Sequence, residues 1–237
     1  MYEELKKYID DASYIVFFGG AGVSVESGIP DFRSSSGLYA NNKSAEYMLS
    51  HECFEDETSD FYKFYFENMI YLDAQPNACH LGLTKLEESG KLKAIITQNI
   101  DGLHQKANSK NVYELHGSVL RNECICCGSK YDLNETIALK DDHHIPRCRK
   151  CNCVIKPDVV LYGESLNEKV LYDAIDHIKK ADLLIVGGTS LQVYPAAGLI
   201  HYYQGDKIVL INKGATPFDH YADLVIKDAI GEVFKKL

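Results

Sequence analysis

The sequence predicts an α/β fold in which a doubly wound parallel sheet carries two insertions. Three observations lead there. Short apolar runs rich in β-branched residues recur along the 237 residues. Helical patterns fall between them, and two stretches break the rhythm, one aromatic and one crowded with cysteine.

Taken in order, Met1 to Asp10 alternates charged and apolar residues and reads as an amphipathic helix, not a signal peptide. The apolar runs lie at 14–18, 94–97, 112–115, 159–162, 183–186, 207–211 and 224–226, each ending in glycine, polar residues or a turn. They are continuous, not alternating, which suits strands buried on both faces. Helical patterns at 78–89, 167–180 and 195–204 precede the second, fifth and sixth runs. This alternation defines a Rossmann-like part at about 1–33, 76–120 and 156–237. A helical insertion is expected at about 34–75, where Phe61, Tyr62, Phe64, Tyr65 and Phe66 crowd together. The cysteine-bearing module occupies about 121–155, and a cleft between the insertions is the expected ligand site.

Composition narrows the function classes. Hydrophobic residues make up 46% and charged residues 25%, the balance of a globular chain with a real core. No apolar run approaches the ~20 residues of a membrane span, so no membrane partner is expected. A net charge of −9 argues against nucleic acid, whose phosphates want a basic face. A monomer is expected.

Six of the eight cysteines lie between Cys124 and Cys153, while Cys53 and Cys79 stand alone. A disulfide framework would spread over a small, core-poor chain; clustering in a long one points to a metal site in a reducing compartment, by default the cytoplasm. Cys124 with Cys127 and Cys148 with Cys151 form two Cys-x-x-Cys knuckles, enough for a tetrahedral zinc site of four sulfurs. Four thiolates leave no open position, so such an ion is structural. Cys126 and Cys153 are spare, and spacing leaves a swap of register open. It also leaves open a zinc ribbon that binds nucleic acid, slightly supported by Arg147, Arg149 and Lys150. His143 and His144 read as surface residues.

The segment from Phe17 to Ser24 is a strand running into a glycine-rich turn, where backbone can approach a pyrophosphate and a following helix would aim N–H groups at it. Gly-x-Gly-x-x-Gly spacing and a Walker lysine are both missing, which argues against an ATPase. His116 stands at the carboxyl end of an expected strand, where α/β sheets place ligands, and a neutral imidazole there can take a proton from a hydroxyl.

The longer motifs are specific. Ala21-Gly22-Val23-Ser24, Ser27-Gly28-Ile29-Pro30-Asp31-Phe32-Arg33 and Gly37-Leu38-Tyr39 are followed by Thr97-Gln98-Asn99-Ile100-Asp101-Gly102-Leu103-His104. Glu114-Leu115-His116-Gly117, the two cysteine pairs, Gly188-Thr189-Ser190-Leu191 and Ile211-Asn212 complete the series. Together they resemble the sirtuin family over nearly the whole chain. That resemblance implies an α/β Rossmann-like doubly wound parallel sheet with a small inserted zinc-binding module and a helical insertion. It also implies an NAD-dependent protein lysine deacetylase that takes acetylated proteins or peptides.

Site roles follow from the same resemblance. Cys124, Cys127, Cys148 and Cys151 become the zinc ligands, and His116 the general base on the ribose hydroxyls. NAD is expected along Gly20, Ala21, Gly22, Ser24 and Val25, with Arg33 near the pyrophosphate. Gly188, Thr189, Ser190 and Asn212 would face the adenine ribose, and Ala229 and Ile230 would close over the adenine. Phe32, Gln98, Asn99, Ile100 and Asp101 would surround the nicotinamide ribose and carboxamide, with Phe32 excluding water. Val159, Val160 and Tyr162 would pair with substrate peptide as a β-strand. Family members that remove acidic acyl groups carry Tyr-x-x-Arg in the helical module. Here the stretch is Tyr62-Lys63-Phe64-Tyr65, with no arginine for a bidentate carboxylate pair, unless Lys63 substitutes. Tyr62 and Tyr65 are therefore expected to line a pocket for acetyl or longer neutral acyl groups. Two rival readings stand beside this: an NAD-dependent protein ADP-ribosyltransferase, and a non-catalytic zinc-ribbon module that senses NAD. A dehydrogenase lacks a visible hydride-acceptor constellation.

Overall fold

The computed structural model describes residues 1–35, 37–42 and 44–237; positions 36 and 43 of the expected helical insertion lie outside that description. Among the described residues, nine strands form two sheets: β1 (Ile15–Gly19), β2 (Leu92–Thr97), β3 (Val112–Glu114), β4 (Gly117–Cys124), β5 (Lys130–Asp132), β6 (Ile155–Val159), β7 (Leu183–Gly187), β8 (Lys207–Ile211) and β9 (Leu224–Ile226). The helices are α1 (Tyr2–Asp11), α2 (Leu38–Asn41), α3 (Ala45–Met48), α4 (His51–Asp56), α5 (Thr58–Asn68), α6 (Ala78–Glu88), α7 (Leu103–Lys106), α8 (Leu133–Ala138), α9 (Glu168–Lys180) and α10 (Ile230–Phe234).

The larger sheet has the order β3-β2-β1-β7-β8-β9, every pair parallel. Successive side chains of its strands enter opposite cores. Phe17, Ile95, Ile185 and Val209 pack against α1, α6 and α10, while Phe18, Ile96, Val186 and Leu210 pack against α9 and the 3-10 helix Ala196–Tyr202. Phe17 and Phe18 are fully buried, each contributing roughly 1.5–3 kcal/mol of transfer free energy. The α/β expectation therefore holds, and strand order reverses between β1 and β7, which opens a crevice at their carboxyl ends.

Two element assignments need correction. The helical pattern at 195–204 forms a 3-10 helix, Ala196–Tyr202. The apolar run at 159–162 is not a strand of the parallel sheet; the strand is β6, which ends at Val159 and pairs antiparallel with β4. Ile155, Pro157 and Val159 alternate inward, the pattern of a half-buried antiparallel strand, and it begins four residues before the run that attracts notice. The smaller sheet has the order β5-β4-β6, so β6 is an edge, where Pro157 is tolerated. Gly117, in the left-handed region at φ 75°, turns the chain from β3 of one sheet into β4 of the other. The helical module packs its aromatic side chains on this second sheet: Phe61, Tyr62 and Tyr65 share a core with Val119, Val159 and Leu161.

Candidate functional site

The crevice is built from two glycine turns in contact. Gly20 N–H donates to the Gly187 carbonyl at 3.2 Å and Gly22 N–H to the Gly188 carbonyl at 2.7 Å. A β-carbon on Gly22 would lie 2.8 Å from Gly188 Cα, so the turns after β1 and β7 can meet only without side chains. The helix expected after the turn is absent. Two 3-10 turns, Ala21–Val23 and Val25–Ser27, replace it, and Gly28 at φ 87° ends the second. Asn77 caps α6 and also donates through Nδ2 to the Val23 carbonyl at 2.7 Å, anchoring the turn to that helix.

Three polar side chains meet behind this turn. Ser24 Oγ donates to Asp101 Oδ2 at 2.6 Å, and Asn99 Nδ2 donates to Ser24 Oγ at 3.1 Å. Asp101 Oδ1 accepts from the Leu103 amide at 2.9 Å. Burial raises the Asp101 carboxyl above its ordinary value, opposed by the hydrogen bonds from Ser24 and Leu103. The buried Ser24 hydroxyl donates to Asp101, and the residue keeps its place in the turn beside the cavity. Gln98 Nε2 donates to Thr189 Oγ1 at 3.2 Å, bridging the ends of β2 and β7.

His116 stands where β3 hands over to β4. Its Nδ1 lies 2.9 Å from the Gln98 carbonyl oxygen. A carbonyl only accepts, so Nδ1 carries the proton and Nε2 presents its lone pair. Burial lowers the imidazole pKa below its ordinary value, and the Gln98 contact opposes this by favouring the charged form. The His116 carbonyl in turn accepts from Val160 N–H at 3.0 Å, tying His116 to the segment beyond β6.

A cavity of about 990 Å³ collects nearly all of these groups. One wall carries Ala21, Gly22, Ser24, Val25, Phe32, Arg33, Gln98, Asn99, Ile100 and Asp101, continuing through Gly188, Thr189, Ser190, Asn212, Ala229 and Ile230. His116 lies at the meeting with a second wall of Val159, Val160, Tyr162 and Tyr65. Two expected residues are not on the surface of the cavity. Gly20 sits behind it with its N–H committed to Gly187, and a β-carbon there would press on Thr189 at 2.8 Å. Tyr62 is also displaced: its phenol donates to the Ile155 carbonyl at 2.5 Å, because its place on α5 turns it towards β6 and not the cavity. Lys63 is exposed on the outer face of that helix. Asn68 and Met69 line the cavity and were missed. They lie three and four residues after Tyr65, a spacing that marks one helix face and was available in the sequence.

The four expected ligands Cys124, Cys127, Cys148 and Cys151 bring their sulfurs within 4.8 Å of one another. Cys124 and Cys151 sulfurs are 3.3 Å apart and those of Cys127 and Cys148 3.6 Å. A tetrahedron with zinc–sulfur bonds of about 2.3 Å has edges of about 3.8 Å, so the cluster has the right size for zinc. Cys126 and Cys153, left open as alternative ligands by spacing, are joined to each other in a disulfide with Cα atoms 6.1 Å apart. Of the basic residues that favoured a nucleic-acid ribbon, Arg147 pairs with Asp141 at 2.8 Å and Arg149 with Glu135 at 3.3 Å. His143 and His144 are exposed and outside the cluster.

Comparison with known proteins adds an independent line. The family model described as the Sir2 family matches residues 20–195. A Clostridium acetobutylicum protein named NAD-dependent protein deacetylase is 58% identical over 98% of this chain and 96% of its own length. One of the same name from Clostridium tetani is 56% identical over 98% of this chain and 94% of its own length. Among solved structures, a Sir2 protein with a deacetylated p53 peptide and 3′-O-acetyl-ADP-ribose superposes with a TM-score of 0.94 at 39% identity, covering 99% of this chain and 96% of that one. Another, with p53 peptide and NAD, has a TM-score of 0.90 at 40% identity, over 100% of this chain and 96% of that one.

Proposed function

This chain belongs to the Sir2 family, and from that premise we infer that it is an NAD-dependent protein lysine deacetylase. It transfers the acetyl group of acetyl-lysine to ADP-ribose, with release of nicotinamide, O-acetyl-ADP-ribose and the free lysine. The observation that carries the reading is the fixed tautomer of His116: Nδ1–H is held by the Gln98 carbonyl while the ring lines the cavity. A buried, neutral imidazole with a free Nε2 is suited to take the proton of a ribose hydroxyl.

The other residues bind, orient and exclude water. The turn from Ala21 to Val25 approaches the pyrophosphate, with Arg33 as its counter-charge, and Gly20 allows the close packing beneath. Thr189, Ser190, Gly188 and Asn212 receive the adenine ribose, and Ala229 and Ile230 border the adenine. Asn99, Ile100 and Asp101 receive the carboxamide end, with Ser24 holding Asp101 in place. Phe32 covers the reacting sugar carbon. Substrate peptide lies beside the edge strand β6 along Val159, Val160 and Tyr162. Tyr65 borders the acyl end. An exposed Lys63 cannot serve an acidic acyl group there, which favours acetyl and longer neutral chains.

Zinc, held by Cys124, Cys127, Cys148 and Cys151, stabilises the fold of the module and has no open position for chemistry. Among the described residues no helix is long and apolar enough to cross a membrane. We place the protein in the cytoplasm, where four thiols stay reduced for a metal; thiol labelling in fresh extract tests this, and the Cys126–Cys153 bond should be open there.

The decisive experiment supplies an acetyl-lysine peptide with and without NAD, to wild type and to His116→Ala. Wild type should release nicotinamide only with both substrates, and the variant should lose at least about 100-fold, the usual worth of a general base. Equal rates would refute the assignment. Label from NAD appearing in protein instead of O-acetyl-ADP-ribose would favour ADP-ribosyl transfer.

A further inference from the structure

The cysteine module holds more sulfur than a metal needs. Cys126 and Cys153 stand with Cα atoms 6.1 Å apart, inside the range a disulfide spans, and the bond between them is closed. Cys126 lies inside the first knuckle, between the ligands Cys124 and Cys127, and Cys153 stands two residues beyond Cys151, the last ligand of the second. The bond therefore joins the same two knuckles that the metal joins, and it consumes none of the metal's ligands. With it closed, the four ligand sulfurs still lie within 4.8 Å of one another. Metal and disulfide select one arrangement of the backbone.

The surroundings hold the pair ready. The Cys153 carbonyl accepts from the Cys148 amide at 2.8 Å, and the Ile125 amide donates to the Val154 carbonyl at 3.1 Å, which brings Cys126 alongside. Cys126 is exposed and Cys153 half-buried, so solvent reaches the pair from the side of Cys126. Cys53 and Cys79 are buried in other cores and take no part.

We propose that Cys126 and Cys153 are a reversible redox clip, a dithiol that peroxide closes into a disulfide and that thereby locks zinc between its knuckles. The Cys126 sulfur attacks the O–O bond of hydrogen peroxide and becomes a sulfenic acid as water leaves. The Cys153 sulfur then displaces the sulfenic oxygen, which departs as a second water, and the S–S bond forms. Two thiols give up two electrons and two protons, and one peroxide becomes two waters. A cellular dithiol reopens the bond by exchange. Zinc leaves a site of four sulfurs only as the knuckles separate. A bond between residues 27 apart in sequence keeps a released thiolate beside the metal, so rebinding outruns loss. By linkage, bound zinc favours the closed bond by the same factor. The inference concerns the metal module and is independent of the reaction assigned to the cavity.

The test times zinc release from the zinc-loaded full chain. Protein is reduced, or treated with stoichiometric hydrogen peroxide, and peptide mass mapping locates the bond. Release into an excess of a colorimetric zinc chelator is compared for wild type, Cys126→Ser and Cys153→Ser, with circular dichroism to verify folding. Oxidised wild type should keep its zinc through the treatment and release it at least about ten-fold more slowly than reduced wild type, within what a cross-link over this separation contributes. Neither variant should slow on oxidation. Equal rates for the two wild-type forms, zinc expelled as the bond closes, or a ligand cysteine found in the bond would each overturn the clip. The two wild-type forms suffice should a variant lose its fold. Nicotinamide release by reduced wild type reports on the cavity alone, so a failed clip leaves deacetylation standing.

Discussion

Only one nitrogen of His116 is available to a substrate, because the Gln98 carbonyl holds the other. As the proposed base, His116 must be neutral to work, so kcat/KM should rise with pH through the imidazole pKa and then level. Burial lowers that pKa from 6.5, so the rising limb should lie below 6.5 in the free enzyme; a limb centred above it would mean that another group titrates. At this scale the sequence was most readable where a residue acts at the end of a strand. His116, Asn99 and Asp101 all lie on the cavity they were expected to line. It was less readable for Tyr62. Its hydroxyl is turned by a partner 93 residues away, Ile155, and no local pattern reveals such a partner.

The glycine turns after β1 and β7 pack backbone against backbone. Gly22→Ala would place a methyl 2.8 Å from both Gly188 Cα and its carbonyl oxygen, and backbone on both sides must separate to admit it. A loss of about 1–3 kcal/mol is expected, seen as a lower Tm, together with a KM for NAD raised more than that for peptide. An unchanged KM for NAD would show that the turn does not carry the dinucleotide. The strands of the parallel sheet were legible because burial on both faces leaves continuous apolar runs. β6 was misplaced for the opposite reason: Lys156 and Asp158 face outward between its inward residues, so the continuous apolar run begins only at the strand's last residue. The short 3-10 turns after Gly20 carry no 3.6-residue period and could not be told from a helix start.

At the scale of the whole molecule, the parallel sheet has two cores of its own, whereas the cysteine module's own cluster is Cys124, Cys148 and Ile155, its Leu133 and Ile145 being buried in the core shared with the helical module. Removing zinc should therefore unravel the module and the register of β4 with β6, while the larger sheet stays folded. Chelation is expected to abolish deacetylation, raise amide exchange in β4 and β6, and leave most of the far-UV circular dichroism. A single cooperative loss of all structure would contradict it. The division into two sheets has a further consequence. On the proposed reading the dinucleotide is met by the crossing point of the parallel sheet, and the acylated chain by an edge of the antiparallel one. The arrangement separates the choice of lysine, set by one wall, from the nucleotide chemistry, set by the other. Grafting the stretch from β4 to Tyr162 between relatives should carry target preference with it and leave the appetite for NAD behind.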